Sequence, residues 1–280
     1  MKTYLECIPC FMSQAMRAGK FITKDESLIK EILDKVGCAI KGFSLDQTPP
    51  EMGMIVYQEI KNITGISDPY KKIKKANINE ALALYPELKR LVWESKNPLL
   101  TAIRIAIAGN VIDLGVNKTF NIKEDLKQIL QQDFAILDFD KFVAKLDRAD
   151  SVLYLGDNAG ESVFDKILIE ELGKPVTFVV REIPIINDVT YEDAIASGLH
   201  EVAEIISSGS TAPVTLLKIC NADFLNRFDK AEFIISKGQG NFESLSDSKR
   251  PIFFLLKAKC PVIAKELNIK ENEITLKSIN

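Results

Sequence analysis

The second half of the chain alternates short apolar segments with amphipathic segments, and no other feature of the sequence constrains the fold as strongly. From residue 149 onward, apolar runs of strand length are separated by stretches whose apolar residues recur with helical spacing. Such alternation is typical of a parallel sheet with helices on its faces. The predicted strands are 151–155, 176–180, 201–206, 232–236 and 252–256. The predicted fold class is therefore α/β with a mostly parallel sheet.

The N-terminal part of the chain has a helical pattern instead. One apolar stripe follows a spacing of about 3.6 residues; it consists of Leu28, Ile29, Ile32, Leu33, Val36, Ile40 and Phe43. Residues 1–97 are therefore predicted to form an all-helical subdomain. Residues 98–148 are predicted to be a helical linker region that contributes to a cleft, and residues 149–280 an α/β metal-binding domain.

One predicted helix of the linker region carries two polar residues. Pro98 suits the first turn of this helix and Gly115 suits its C-terminal cap. Asn110 and Asp113 lie three residues apart within it, so both side chains point from one helical face and need polar partners. Part of a site is one explanation. The alternative is that small residues here let another helix pack closely, while Asn110 caps a neighbouring loop.

Composition excludes several classes of function. The 36 basic and 39 acidic residues give a net charge of −3, which provides no global attraction to nucleic acid or to an anionic membrane. No apolar run reaches the roughly 18 residues of a transmembrane helix, and the N-terminus has no secretory apolar region. We expect a soluble, cytoplasmic protein whose partner is a small molecule; the oligomeric state stays open.

Histidine and cysteine usage narrows the possible chemistry further. His200 is the only histidine, so a multi-histidine zinc site is excluded within one chain. Five cysteines are an odd number and do not suggest a disulfide framework. Cys7 and Cys10 have the spacing of a metal clip or a redox pair, but two partly buried thiols near a helix start explain them equally well.

Polar residues and glycines follow four successive predicted strands. Because the carboxyl ends of parallel strands meet at one edge of a sheet, we expect these residues to lie close together. They are Asp157 and Asn158, then Arg181 and Asp188, then Gly209 and Ser210, then Lys237, Gly238 and Asn241. Carboxylate and amide oxygens suit Mg²⁺ or Mn²⁺, and also Co²⁺ or Ni²⁺. Basic side chains and glycine N–H groups around them suit a phosphoryl group.

Four motifs contain these candidate residues: Gly109-Asn110 with Asp113, Gly156-Asp157-Asn158-Ala159-Gly160-Glu161, Asn187-Asp188-Val189-Thr190 and Lys237-Gly238-Gln239-Gly240-Asn241. Together they resemble the metal-dependent damage-control phosphatase family, formerly listed as domain of unknown function 89. The resemblance spans nearly the whole chain, and the opening with Cys7 and Cys10 is similar to that of the short, stand-alone branch. It implies a Rossmann-like three-layer sandwich preceded by the helical subdomain.

The resemblance also implies a function, namely a divalent-metal-dependent phosphatase that hydrolyses phosphomonoesters of small metabolites, such as sugar phosphates or damaged phosphometabolites. Asp157, Asn158 and Asp188 would bind the metal (Mn²⁺, Co²⁺, Ni²⁺ or Mg²⁺), while Lys237 and Arg181 would contact the phosphate. The implied substrate-binding residues are Asn110, Asp113, Glu161, Gly209, Ser210, Gly238 and Asn241. Val214 stands after Pro213 where the family has a glycine, which leaves the contacts of that loop open.

The expected mechanism is attack on phosphorus by water that the metal activates. Asp157 would orient this water or act as its base. Attack by Asp157 itself, through an aspartyl-phosphate, is an alternative.

Two other functions remain alternatives. One is an S-adenosylmethionine-dependent carboxyl methyltransferase, because a glycine-bearing loop after a strand can also hold that cofactor. The other is a non-catalytic metabolite-binding or redox-sensing module that uses Cys7 and Cys10.

Overall fold

The N-terminal part of the protein is a set of five helices. The structure, a computed structural model, describes residues 1–110 and 130–280. The helices are α1 (Cys7–Ile22), α2 (Glu26–Lys41), α3 (Pro49–Thr64), α4 (Lys71–Trp93) and α5 (Pro98–Gly109). Residues 1–97 contain no strand, which confirms the predicted helical N-terminal part. Within the two described ranges, none of the helices has the length and hydropathy that spanning a bilayer requires.

Strands and helices then alternate to the C-terminus. The order is β1 (Phe134–Leu137), α6 (Phe139–Arg148), β2 (Val152–Leu155), α7 (Ser162–Leu172), β3 (Val176–Val180), α8 (Tyr191–Ala196), β4 (Glu204–Ser207), α9 (Ala222–Lys230), β5 (Ile234–Lys237), α10 (Gly238–Leu245), β6 (Ile252–Lys257), α11 (Pro261–Leu267) and β7 (Ile274–Ile279). Single 3₁₀ turns occur at Leu199–Glu201 and Leu217–Ile219.

The seven strands form one sheet in the order β1-β7-β6-β5-β2-β3-β4. Neighbouring strands from β6 to β4 pair in parallel, whereas β7 is antiparallel to β6 and parallel to β1. The mixed α/β class with a mostly parallel sheet is thereby confirmed. The chain proceeds outward from β2 to β4 and then returns to β5 on the other side of β2. Ligands bind in the crevice that such a reversal leaves at the carboxyl ends of the strands.

The sheet is larger than predicted, because it has an extra strand at each end of the α/β region. β1 lies at 134–137, inside the segment predicted to be helical, and β7 follows the last predicted strand. β1 is four residues long and only alternately half-buried, so it has too few apolar residues for a clear pattern. β4 also starts later than predicted, since a 3₁₀ turn at Leu199–Glu201 occupies the start of the expected segment.

Helix α5 is shorter than predicted. It begins at Pro98, as expected, but its last residue is Gly109, so Asn110 is its C-cap rather than an interior residue. Asp113 and Gly115 lie outside the described residues, and their predicted places stay predictions.

The helical part is attached to the sheet edge by a buried cation. Lys74 of α4 is 3% exposed and contacts Asp68 at 3.0 Å and Asp193 at 2.8 Å. Asp193 also accepts from the backbone N and hydroxyl of Thr190, which is the capping box that starts α8. Because Thr190 is two residues from Asp188, this ion pair holds α4 beside the edge that carries the polar loops.

Helices α5 and α7 pack closely because a glycine ends α5. A Cβ atom at Gly109 would lie 2.8 Å from the Cβ and Cγ atoms of Phe164, closer than packed atoms approach. Phe164 is fully buried, so it has little room to move away.

We predict that Gly109→Ala lowers the free energy of unfolding by about 1–3 kcal/mol, because overpacking strains a filled core. Gly37→Ala is the matched control, since Gly37 lies in α2 and its Cβ would meet nothing within 4 Å. Glycine destabilises the interior of a helix relative to alanine, so Gly37→Ala should raise the free energy of unfolding by about 0.5–1 kcal/mol. Urea unfolding measures both changes; stabilisation by both substitutions would contradict the packing account.

Candidate active site

A cleft of about 500 Å³ opens at the carboxyl edge of the sheet. On one side it is lined by Asp157, Asn158 and Asp188, from the loops that follow β2 and β3. On the other side it is lined by residues of α1, α3 and α4. Asp157, Asn158 and Asp188 form what we call the floor of the cleft, and the sequence predicted their convergence.

Backbone hydrogen bonds fix the two loops of the floor to each other. The amide of Ala159 donates to the carbonyl of Asn187 at 2.8 Å, and the amide of Val189 donates to the carbonyl of Asp157 at 2.8 Å. This short bridge places Asn158 directly opposite Asp188. The two loops therefore cannot separate without breaking ladder-type bonds.

The Asp157 carboxylate is held from three directions. Its Oδ2 atom accepts from the side-chain amides of Asn110 at 2.6 Å and Asn158 at 3.1 Å. Gly238, at the start of α10, has a φ of +79°, and a Cβ there would lie 1.9 Å from the same oxygen. Only glycine fits this position, both for its conformation and for its space.

Glu161 lies behind the floor and connects it to the core. The side chain is 1% exposed, and its Oε2 atom accepts from the amides of Asn110 at 2.6 Å and Asn158 at 2.9 Å. Each of the two amides thus spans the Asp157 and Glu161 carboxylates. Glu161 does not line the cleft, and its predicted contact with substrate stays a prediction.

Lys237 is fully buried and has three partners. Its ammonium donates to Glu161 at 2.5 Å, to Asp165 at 2.6 Å and to the carbonyl of Ala106 in α5 at 2.8 Å. Burial opposes its charge, but Asp165 and Glu161 outweigh burial and raise its pKa. Burial also raises the pKa of Asp165 to about 7 despite Lys237. Lys237 therefore does not line the cleft, and its predicted phosphate contact stays a prediction.

Arg181 is likewise engaged inside the protein. Its Nε atom donates to Asp188 at 2.9 Å, and its two terminal nitrogens donate to the Gly156 carbonyl at 2.9 Å and the Thr215 hydroxyl at 3.2 Å. The side chain is 1% exposed. Direct phosphate contact by Arg181 stays a prediction. In the structure its guanidinium forms an ion pair with Asp188.

The remaining predicted substrate residues brace loops rather than face the cleft. Asn241 accepts from Thr215 N at 2.8 Å and donates to the carbonyls of Gly156 and Lys237. Ser210 donates to the Val214 carbonyl at 3.0 Å. Gly209 lies against the backbone of Asn221. None of Gly209, Ser210, Gly238 and Asn241 lines the cleft, so their substrate contacts stay predictions.

Two β-branched residues beside Asp188 have a backbone conformation that such residues rarely adopt. Ile186 has a φ of 47° and Val214 a φ of 61°, and both line the cleft. The amide of Val214 donates to Asp188 Oδ2 at 2.8 Å. Val214 is the position after Pro213 where a glycine was expected, so the chain accepts about 1–3 kcal/mol of strain there. A strained backbone conformation persists only where surrounding contacts hold it in place, and such positions are frequent at functional sites.

The floor carries an excess of negative charge. Burial raises the pKa of Asp157 well above its ordinary value, and the nearby Glu161 and Asp188 carboxylates raise it further. Burial also raises the pKa of Asp188 despite its pair with Arg181. Carboxylates crowded in this way are stabilised by a bound cation.

The donor atoms at the floor fit a hard divalent cation. Two amide N–H contacts occupy Asp157 Oδ2, which leaves Oδ1 for a ligand in the cleft. Asn110 Oδ1 is buried without a hydrogen-bond partner. Across residues 1–110 and 130–280, no three His, Cys, Asp or Glu side chains are arranged to hold a metal ion. A cation here would therefore rest on Asp157, Asp188 and the Asn158 amide oxygen, with water completing its shell, as Mg²⁺ prefers.

Lys259 is the residue that sequence reasoning missed. It follows β6, lines the cleft, and donates to the backbone carbonyl of Asn110. Its positive charge acts on Asp157 and partly opposes the rise that burial causes in the pKa of that carboxyl. Lys259 is exposed and lines the cleft, whereas Lys237 is fully buried. The signal was present in the sequence, since β6 was predicted and Lys259 stands just beyond its carboxyl end.

The cysteine pair also lines the cleft. Cys7 and Cys10 line it together with Cys260, the N-cap of α11, and all three are free thiols. Burial raises the pKa of Cys7 and of Cys260, which lowers their reactivity. A metal or redox role for Cys7 and Cys10 stays a prediction.

Comparison with known proteins places the chain among phosphatases. The model of the Damage-control phosphatase ARMT1-like domain matches residues 3–275. A damage-control phosphatase of Pyrococcus horikoshii is 33% identical over 98% of this chain and 97% of its own length. A damage-control phosphatase of Archaeoglobus fulgidus is 30% identical over the full length of both chains.

A solved structure agrees with this result. The crystal structure of a DUF89 family protein from Pyrococcus horikoshii superposes with a TM-score of 0.91 at 33% identity, covering 99% of this chain and 98% of that chain. Family model, full-length relatives and fold all coincide with the resemblance that the four sequence motifs indicated. The chain therefore belongs to the damage-control phosphatase family with the ARMT1-like (DUF89) domain.

Proposed function

We propose that the protein is a divalent-metal-dependent phosphatase that hydrolyses phosphomonoesters of small metabolites. Membership in the damage-control phosphatase family supports a phosphatase role. The observation that carries the finer proposal is the floor itself, where Asp157 and Asp188 crowd together with raised pKa values at the base of an open cleft. Such a floor is suited to a cation and repels a phosphate without one.

Asp157 Oδ1, Asp188 and the Asn158 amide oxygen would hold Mn²⁺, Co²⁺, Ni²⁺ or Mg²⁺. When bound, such an ion supplies Lewis-acid polarisation of a phosphoryl oxygen and lowers the pKa of water. Asp157 is oriented by Asn110 and Asn158, so its free oxygen has a defined direction toward the cleft.

We assign the phosphate contact at the cleft surface to Lys259. Lys259 is exposed, lines the cleft and acts electrostatically on Asp157, so its charge is close to the place where a phosphate bound at the floor would lie. A lysine contributes a point charge on a flexible stem, and this suits charge that grows during phosphoryl transfer.

Arg181 and Lys237 have a different role in this proposal. Arg181 holds Asp188, and Lys237 holds Glu161 and through it the amides that orient Asp157. Direct phosphate contact by either would require its side chain to leave a buried ion pair, which costs several kcal/mol.

Phosphate release from a panel of phosphomonoesters tests the function. Metal-stripped protein should be inactive and should regain activity when Mn²⁺, Co²⁺, Ni²⁺ or Mg²⁺ is added back. Asp157→Asn should lower kcat by at least about 100-fold, because it removes a carboxylate that holds the cation. Activity that survives chelation, or that persists in Asp157→Asn, would contradict the proposal.

Lys259→Ala should reduce kcat/KM by about 10- to 100-fold, because one charged contact to the phosphate is lost. Lys249→Ala is the control, since Lys249 is also exposed but does not line the cleft. Steady-state kinetics with one phosphomonoester measures both variants. Equal kinetics of Lys259→Ala and Lys249→Ala would remove Lys259 from the site.

The buried role of Lys237 has its own test in protein stability. Lys237→Met should lower the free energy of unfolding by about 3–5 kcal/mol, because it leaves Glu161 and Asp165 buried without a cation. Asp165→Asn should cost less than about 1 kcal/mol, since it replaces a carboxyl whose pKa is about 7 by a neutral group of the same shape. Urea unfolding at pH 7 compares the two, and similar losses would contradict this account.

A further inference from the structure

The side of the cleft that faces the floor is built from the helical part. We call Gln14, Arg17, Phe21, Tyr57 and Asn77 the helical wall; they come from α1, α3 and α4, and all line the cleft. The floor has an excess of carboxylates, whereas the wall combines one guanidinium, two amides and two aromatic rings. Glu6, the N-cap of α1, and Glu243 also line the cleft outside this set. The wall residues themselves are cationic, neutral polar or aromatic, so they suit a different part of a ligand from the floor.

Asn77 is the buried polar group of the wall that lacks a partner. It is 7% exposed, and its Oδ1 atom has no hydrogen-bond partner. An unpartnered buried amide costs about 1–3 kcal/mol, so its retention at a cleft surface needs an explanation. A half-turn of the amide exchanges its oxygen and nitrogen, so it can accept from or donate to a ligand hydroxyl.

Arg17 provides positive charge to the wall. It is exposed in α1 and lines the cleft, and no carboxylate among residues 1–110 and 130–280 forms an ion pair with it. Its charge lowers the pKa of Tyr57, whereas the charge of Asp188 raises it. Tyr57 therefore lies within electrostatic reach of both the wall cation and the floor.

The aromatic part of the wall is rigid. The hydroxyl groups of Tyr57 and Tyr70 are 2.9 Å apart and hydrogen-bonded. The rings of Phe21 and Tyr70 meet edge to face with centroids 5.1 Å apart. Burial keeps the pKa of Tyr57 well above its ordinary value, so its phenol stays neutral. Because the Tyr57 hydroxyl is engaged with Tyr70, this part of the wall offers a fixed aromatic face to the body of a ligand.

The cleft is larger than a phosphate needs. A water molecule takes up about 30 Å³ of liquid volume, so a cleft of about 500 Å³ has room for a phosphate and for an organic body beyond it. A substrate anchored at the floor by its phosphate would extend toward the wall. Lys74 fixes the wall relative to the floor, because it ties α4 to Asp193, five residues beyond Asp188.

We propose that the helical wall is a specificity subsite for polyhydroxylated phosphomonoesters that carry a second anionic group. Asn77 binds a hydroxyl of the substrate body, and Arg17 binds the second anion, a phosphate or a carboxylate, at the end remote from the bond that breaks. This inference rests on the proposed phosphatase function, and it adds the substrate class. Sugar bisphosphates and phosphorylated sugar acids share the required chemistry.

Kinetics with matched substrates tests the subsite. The probes are glucose 1,6-bisphosphate, 6-phosphogluconate, glucose 6-phosphate and 4-nitrophenyl phosphate, which carry the second anion as phosphate, as carboxylate, or not at all. Arg17→Ala should raise KM for the substrates with a second anion by about tenfold or more, which is the effect of one charge-assisted contact. KM for the other two should change less than about twofold, and kcat should be unchanged. The ratio between the first two probes tells which anion the subsite prefers.

Asn77→Ala should raise KM for every sugar substrate but leave 4-nitrophenyl phosphate unaffected. Because the amide has an unpartnered oxygen, this variant should unfold at the same urea concentration as the wild type or a higher one. Arg90→Ala is the control, since Arg90 is exposed on α4 but does not line the cleft. Unchanged KM values in both wall variants, or an equal rise for all four substrates, would overturn the subsite.

A binding experiment separates this inference from the proposed function. If the wild type releases phosphate from none of the probes under any metal, the phosphatase proposal fails. Calorimetric titration with glucose 1,6-bisphosphate then tests the wall alone. Weaker binding by Arg17→Ala than by Arg90→Ala supports the subsite, and equal binding contradicts it.

Discussion

The ammonium of Lys237 joins three elements of the fold, β5, α7 and α5. From the end of β5 it contacts Glu161 before α7, Asp165 within α7 and the last turn but one of α5. Two carboxylates and a carbonyl buried together would repel each other strongly without this cation. Their attraction to it fixes Glu161, and Glu161 fixes the amides of Asn110 and Asn158. The orientation of Asp157 at the cleft therefore depends on a charge that is fully buried and does not line the cleft.

A second series of ion pairs connects the floor of the cleft to the helical part. Arg181 holds Asp188, the backbone joins Asp188 to the capping box at Thr190, and Asp193 of that box holds Lys74 of α4. The floor and the helical wall are thus parts of one connected structure. This connection explains why β-branched residues at 186 and 214 tolerate a left-handed backbone there, because the surroundings leave them no alternative.

The sequence predicted the position of the site better than it predicted which of the site's residues are buried. Asp157, Asn158 and Asp188 converge as expected, because parallel strands bring their carboxyl ends to one edge regardless of packing detail. Lys237 and Arg181 were also placed at the correct strand ends. Their burial could not be predicted, since it depends on acids such as Asp165 that stand far away in the sequence or inside a helix. Lys259 was not predicted, because the residues that follow the last predicted strand were not included among the candidates. β1 was not predicted, because a short edge strand has almost no periodic pattern of apolar residues.

The central claim is the proposed cation site of Asp157 and Asp188, to which the buried Asp165 contributes no ligand. Titration of Mn²⁺ into metal-stripped protein without substrate, with free Mn²⁺ followed by its electron paramagnetic resonance signal, tests this claim directly. We expect one bound ion in the wild type, affinity reduced about tenfold or more in Asp157→Asn and Asp188→Asn, and affinity close to that of the wild type in Asp165→Asn. Wild-type affinity in both floor variants, or an equal loss in Asp165→Asn, would contradict the account.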